Sequence, residues 1–233
     1  MELAQISGDD LNADLRQLIT VCADEMAWCG TELAGIDQKL FERIGRGGGA
    51  RETGLVRLAA GSAIPAQIAH CRVDLLVLEG AVEIAGEPGP AGHFRRIPPG
   101  APVGLCAAED AVVLVKKRAV GTGLDPIALN TRDRTNWAPW GGRGSDKAQI
   151  YEPGVLPEAS WVGFMLPDLT IPLHDHAGGE EIFILEGGLR DERGLYGPGT
   201  WVRFPAGAMH TPTSLGDGCL MLVREGDATP LAD

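Results

Sequence analysis

At 233 residues the chain is long enough to bury a proper core and fits one large domain or two small ones. Asp and Glu outnumber Lys and Arg by 32 to 20, a formal net charge of −12, so its average field repels phosphate backbones and anionic bilayers and argues against nucleic acid or a membrane as partner. No stretch approaches the roughly 18 apolar residues of a membrane span, and Met1 to Asp10 lacks the apolar core of a leader, so the expectation is a soluble, cytoplasmic protein.

In chain order, Asp9 to Ala23 offers a helical candidate with Leu11, Leu15, Leu18 and Ile19 on one face, although Leu18 to Cys22 (LITVC) reads equally well as a strand. Short apolar runs of strand length follow at Asp74–Leu78, Ala111–Val115, Glu181–Leu185 and Cys219–Val223. The 33 Gly and 16 Pro punctuate these runs rather than clustering, which predicts an all-β protein with many turns. Cys22, Cys29, Cys71, Cys106 and Cys219 are odd in number and without close pairing. That argues against a disulfide framework and predicts mostly small buried thiols.

The chain repeats itself. Ile64–Gly80 (IPAQIAHCRVDLLVLEG) and Ile171–Gly187 (IPLHDHAGGEEIFILEG) lie 107 residues apart. The same offset pairs Gly92 with Gly199, Phe94 with Trp201, Arg96 with Arg203, Pro98 with Pro205 and Gly100 with Gly207, and lays Val112–Val115 under Cys219–Leu222. Two copies of one β module are expected at 28–118 and 137–226, with an extension at 1–27, a linker at 119–136 and a tail at 227–233.

The copies differ where chemistry would sit. His174 and His176, two apart on an extended strand, present both imidazoles to one face; Gly178 and Gly179 allow a turn that returns Glu180 alongside, and His210 follows a second turn at Pro205-Ala206-Gly207. Three His and one Glu suit a divalent transition metal and leave coordination positions open; zinc or iron is expected, with manganese and nickel also compatible. In the first copy these four align with Gln67, Ala69, Val73 and Val103, which would hold no ion. His70 and His93 fall off the ligand positions and read as surface or turn residues.

Three further residues stand near the quartet. Glu181 should face away from the metal by strand alternation and is a candidate to support the ligands from behind; Arg203 persists as Arg96 in the metal-free copy, which favours a structural role common to both modules; Tyr151 is a pocket candidate. Phe183 and Leu185 make the other strand face apolar too, so it requires cover, from the first module or from a partner subunit in a homodimer.

The runs HDHAGGEEIFILEG and GTWVRFPAGAMH resemble the two cupin motifs, with Ser214 where an Asn often stands. Their wording is similar to the cupin domain of ChrR-type anti-sigma factors and their stand-alone relatives, over nearly the whole chain. The resemblance implies a double-stranded β-helix, or jelly roll, present here as two tandem modules, with His174, His176, Glu180 and His210 as the ligands of one metal. It also implies two functions that the residues leave open. One is an iron(II) dioxygenase acting on a small chelating ketone, with metal and substrate doing the chemistry. The other is a zinc-holding regulatory sensor; here no His precedes His70 and Cys22 and Cys29 are seven apart, so the family's sigma-gripping His-x3-Cys-x2-Cys motif is absent and direct contact with a sigma factor is not expected. A plain small-molecule-binding or isomerase-like cupin is a third alternative.

Overall fold

The computed structural model describes residues 10–45, 51–119, 125–140, 142–151 and 158–226, so the expected tail at 227–233 and residues 1–9 of the expected extension lie outside the described residues. Among the described residues the chain is all-β apart from one short 3-10 turn at Ala23–Glu25. It divides into two compact units: Met26–Arg132 with the residues up to Ala13, and Asp14–Glu25 with Asp133 onward.

In the first unit a long sheet runs in the order Ile127–Asn130, His93–Ile97, Arg72–Glu79, Ala111–Arg118, Arg51–Leu58, Ile36–Ile44, Cys29–Gly30. A second sheet joins Ala63–Ile68, Pro102–Cys106, Ala81–Ile84 and Glu87–Pro90. Apolar side chains from both fill the interior; Val73, Leu75, Val77, Ile84, Val103, Leu105 and Val113 are all but completely buried. The second unit repeats the plan with Ile19–Cys22, Thr200–Phe204, Glu180–Arg190, Thr213–Glu225, Ala159–Met165, Ser145–Tyr151 and Ala138–Pro139, plus a short ladder of His174–Asp175 with Met209–His210. Trp161, Met165, Ile182, Ile184, Val202, Phe204, Met221 and Val223 form its core.

The expected repeat is visible as register. Gln67 sits opposite Val103 as His174 sits opposite His210, and Asp74 opposite Arg96 as Glu181 opposite Arg203. Backbone links repeat as well: the Gly100 N–H donates to the Ala69 carbonyl at 2.8 Å and the Gly207 N–H to the His176 carbonyl at 2.9 Å.

The single ungapped offset fails at the last strand. Val113 pairs with Val77, but the partner of Ile184 is Met221, which makes the spacing 108 there. One extra residue lies between His210 and Cys219. Because side chains alternate across a sheet, this slip exchanges inward and outward positions along the whole strand: Ala111, Val113 and Val115 correspond to Cys219, Met221 and Val223, all core residues. The slipped strand opens at a close approach common to both units. A Cβ on Gly80 would lie 2.1 Å from the Asp110 carbonyl oxygen, and one on Gly187 2.1 Å from that of Gly218, so only glycine fits either place.

The segments read as an extension and a linker each contribute a strand to a sheet. Ile19–Cys22 is a strand and not part of a helix; it pairs with Thr200–Arg203 of the second unit. Ile127–Asn130 pairs in the same register with His93–Arg96 of the first. Each module is therefore preceded in sequence by a strand that completes the sheet of the other. Ile19 and Val21 are β-branched, and the edge of the Thr200–Phe204 strand offers them a ladder that an isolated helix could not match.

Candidate metal centre

The Gly178-Gly179 turn builds the site. Gly179 takes a positive φ of 75°, and a Cβ on Gly178 would come within 2.5 Å of the Gly226 Cα. The His176 carbonyl accepts from both Gly179 N–H and Gly207 N–H at 2.9 Å, which ties the loop carrying His174 and His176 to the turn preceding His210. Ser214, in the place of the expected Asn, donates to the Leu166 carbonyl at 2.5 Å and accepts from Leu169 N–H at 2.9 Å, fixing the loop that leads into the first ligand strand.

The structure brings the four sequence-predicted ligands together. His174 Nε2 and His210 Nε2 are 3.1 Å apart; Glu180 Oε2 lies 3.4 Å from His210 Nε2 and Glu180 Oε1 3.5 Å from His176 Nε2. His174, His176 and His210 form one group able to hold an ion, and His176 and Glu180 form a second with Glu225. The cavity beside them is walled by Trp140, Trp161, Met165, Ile182, Leu189 and Met221.

Electrostatics favour a cation. Burial drives the Glu180 carboxyl up to about 7; His176 pulls it back down, and Glu225, directly across the ladder, pushes it higher. Burial, with His174 and His176 adding, takes His210 down to about 4, so its ring is neutral and free to ligate at neutral pH. Burial also opposes charge on the His176 ring, but Glu225, Glu180 and Asp175 together hold its pKa above the usual imidazole range. Two carboxylates face each other here, and His176 Nε2 and Glu180 Oε2 are buried without a hydrogen-bond partner. Orphaned donors and acceptors converging on one point cost free energy unless something binds between them. The donor set fits a divalent ion.

Each imidazole is also backed by an oxygen on its far nitrogen. His174 Nδ1 is 2.8 Å from the Pro172 carbonyl oxygen, His176 Nδ1 3.8 Å from Glu225 Oε2, and His210 Nδ1 4.0 Å from Asp191 Oδ2. Glu225 and Asp191 were not singled out from the sequence. A signal existed for Asp191, which stands at the 107 offset from the buried core residue Ile84. Glu225 was hidden by the slip of the last strand: it corresponds to Lys117, each lying opposite the position of Glu180 or its counterpart Val73.

The remaining candidates lie elsewhere. Glu181 is buried but sits across from Arg203 on the strand face away from the quartet, and Arg203 donates to the Asp14 carbonyl at 2.9 Å. Asp74 and Arg96, at the same positions in the first unit, form a buried two-point ion pair at 2.8 Å. A structural role for the arginine in both modules agrees with this pairing. Tyr151 ends the strand opposite Ser160 and is not among the cavity-lining residues. In the first unit Ala69, Val73 and Val103 are buried in apolar core, while Gln67 and His70 are exposed and His93 is half-buried. The expectation of mostly buried thiols holds for Cys71 and Cys219, the latter pushed up to about 12 by burial; Cys29 and Cys106 are exposed and Cys22 is half-buried.

The sequence matches the model of the ChrR cupin-like domain twice, at residues 16–121 and 133–229. The chain belongs to the ChrR cupin-like family. The first match includes the exchanged strand Ile19–Cys22, whereas Ile127–Asn130 falls between the two matched segments. No curated protein matches this family member. Among solved structures it is similar to a candidate dioxygenase from Nostoc punctiforme, with TM-score 0.74, 16% identity, and coverage of 93% of this chain and 85% of that one. It is also similar to a glyoxylate-induced protein, so described provisionally, from Pseudomonas aeruginosa (0.74, 14%, 93% and 91%). A third is a bacterial pirin in complex with nickel(II) from Escherichia coli (0.65, 14%, 92% and 100%). At these identities the likeness establishes the cupin fold and no more. No helix among the described residues is long and apolar enough to cross a membrane.

Proposed function

We propose that this ChrR-like bicupin holds one divalent metal ion through His174, His176, Glu180 and His210, and uses it as a mononuclear iron(II) dioxygenase acting on a small chelating ketone or related metabolite. The observation that carries the reading is the convergence of three imidazole Nε2 atoms and both Glu180 oxygens on one point, with His176 Nε2 and Glu180 Oε2 buried and unpartnered. Bound there, iron would supply Lewis acidity toward a chelating oxygen pair and a seat for dioxygen. The chain's own contribution is threefold. Neutral His210 and the turn glycines present the ligands, the walls of Trp140, Trp161, Met165 and Ile182 exclude water, and Glu180 gives up its proton as the metal enters. Among the described residues no separate general base lines the cavity; the titratable groups lining it are the four ligands themselves.

Iron-loaded protein is expected to consume oxygen with at least one member of a panel of diketones and hydroxyketones, while His176→Ala loaded under the same conditions does not. Zinc as the native metal, with no uptake on any panel member, would overturn the catalytic part and favour the regulatory reading, which family membership supports. In that reading the same quartet holds zinc and the cavity receives a signal molecule.

A further inference from the structure

The oxygens behind the histidines are not equivalent to generic polar neighbours, because each carboxylate has one oxygen already committed. Asp191 Oδ1 accepts from Arg193 N–H at 2.8 Å, Gly194 N–H at 3.2 Å and the Tyr196 hydroxyl at 2.9 Å. Its other oxygen, Oδ2, is buried, has no hydrogen-bond partner, and faces His210 Nδ1 at 4.0 Å and the Arg193 guanidinium at 3.6 Å. Glu225 repeats the arrangement: Oε1 accepts from the Trp161 indole N–H at 3.1 Å, and Oε2 faces His176 Nδ1 at 3.8 Å. Both gaps exceed a hydrogen bond but lie within ion-pair range, and each carboxylate can only accept.

We propose that Asp191 and Glu225 are positioning residues that hold the proton of His210 and His176 on Nδ1, so that each ring offers an unprotonated Nε2 to the metal. A neutral imidazole carries one N–H, and an acceptor fixed behind Nδ1 decides which nitrogen that is. The first module supplies the contrast. Where the ligands are gone, the positions of Asp191 and Glu225 are held by Ile84, fully buried in the core, and Lys117, which pairs with Glu52. The first module lacks the supporting carboxylates and the ligands together. This inference rests on the metal reading above.

The committed oxygens make the test sharp. In Glu225→Gln the Trp161 N–H keeps the amide oxygen at the Oε1 position, which turns the amide NH2 toward His176 Nδ1 and forces the ring proton onto Nε2. In Asp191→Asn the two backbone N–H groups do the same to His210. Titration of the parent and variants with cobalt(II), by competition against a chelator and by the ligand-field absorption spectrum, is expected to show affinity lowered on the order of 10- to 100-fold for both amide variants, with an altered spectrum. Glu225→Ala, which leaves water free to accept from either tautomer, is expected to bind better than Glu225→Gln. A purely structural role predicts the opposite order. Parent affinity and an unchanged spectrum in both amide variants would overturn the proposal. Failure of the parent itself to bind cobalt would instead overturn the metal reading. Circular dichroism identifies any variant that fails to fold, and Glu225, one-third exposed at the strand end, keeps the test open if Asp191 variants do not fold.

Discussion

Stripped of metal at pH 8, the Glu180→Gln protein is expected to be more stable than its parent by about 3 kcal/mol, and with metal added the order reverses. Glu180 is buried and its carboxyl is raised to about 7 from the ordinary 4.5, each pKa unit of difference being worth about 1.4 kcal/mol. Because the folded value lies above the unfolded one, the associated stability is fully present below about pH 4.5 and is lost as pH rises through 7. The metal-free parent should therefore weaken across that window, while the Gln variant, with nothing to titrate there, should not. At pH 5 the two should nearly coincide; His176 works slightly against the variant, since its raised pKa depends in part on Glu180. Metal that binds only the folded state then stabilises the parent in proportion to the logarithm of its concentration, and stabilises the variant, left with three imidazoles and no carboxylate, far less. Thermal unfolding with and without chelator at pH 5 and pH 8 reads all four corners. A Gln variant no more stable than the metal-free parent at pH 8 would show that Glu180 carries no burial penalty for a metal to relieve.

The second large effect concerns the strand Ile19–Cys22, far from the metal module in sequence. It covers the edge of Thr200–Phe204, the strand that carries Trp201, Val202 and Phe204 into the core, and its flanks add bonds from Ala23 N–H to Gly199 and from Arg203 to Asp14. Successive N–H groups of a strand alternate sides, so prolines at two consecutive positions must remove at least one ladder donor. Thr20→Pro with Val21→Pro is expected to cost the second unit about 3 kcal/mol, a fall in its unfolding midpoint on the order of 10 °C. Hydrogen exchange should rise in Thr200–Phe204 while Arg72–Glu79 of the first unit stays protected. The reciprocal pair Ala128→Pro with Leu129→Pro should strike the first unit through His93–Ile97. Loss of protection in the wrong unit would contradict the exchange.

What could be read in the sequence followed from its duplication. The repeat supplied the all-β plan, the two modules and the contrast between His174, His176, Glu180, His210 and their replacements Gln67, Ala69, Val73, Val103, because ligands and turn glycines are fixed by local geometry that a motif records. Pairing between distant segments is not local. Leu11, Leu15, Leu18 and Ile19 have helical spacing, yet Leu11 makes an isolated bridge to Arg43 and Ile19 opens a strand, since an open sheet edge outweighs propensity. One inserted residue before Cys219 was enough to conceal Glu225, because a slip of one along a strand reverses every side chain. Asp191 was marked in the sequence only as a carboxylate at the position of core Ile84; its role depends on a turn that bends it back to His210, which no spacing rule states.

The proposed function requires that the quartet hold an ion. Metal analysis of the purified protein beside His210→Ala, each normalised to chain concentration, is the direct measurement. One divalent ion per chain in the parent and none in the variant is the predicted result. Equal metal content in the two, or a parent that takes up no divalent ion when it is supplied, would contradict it.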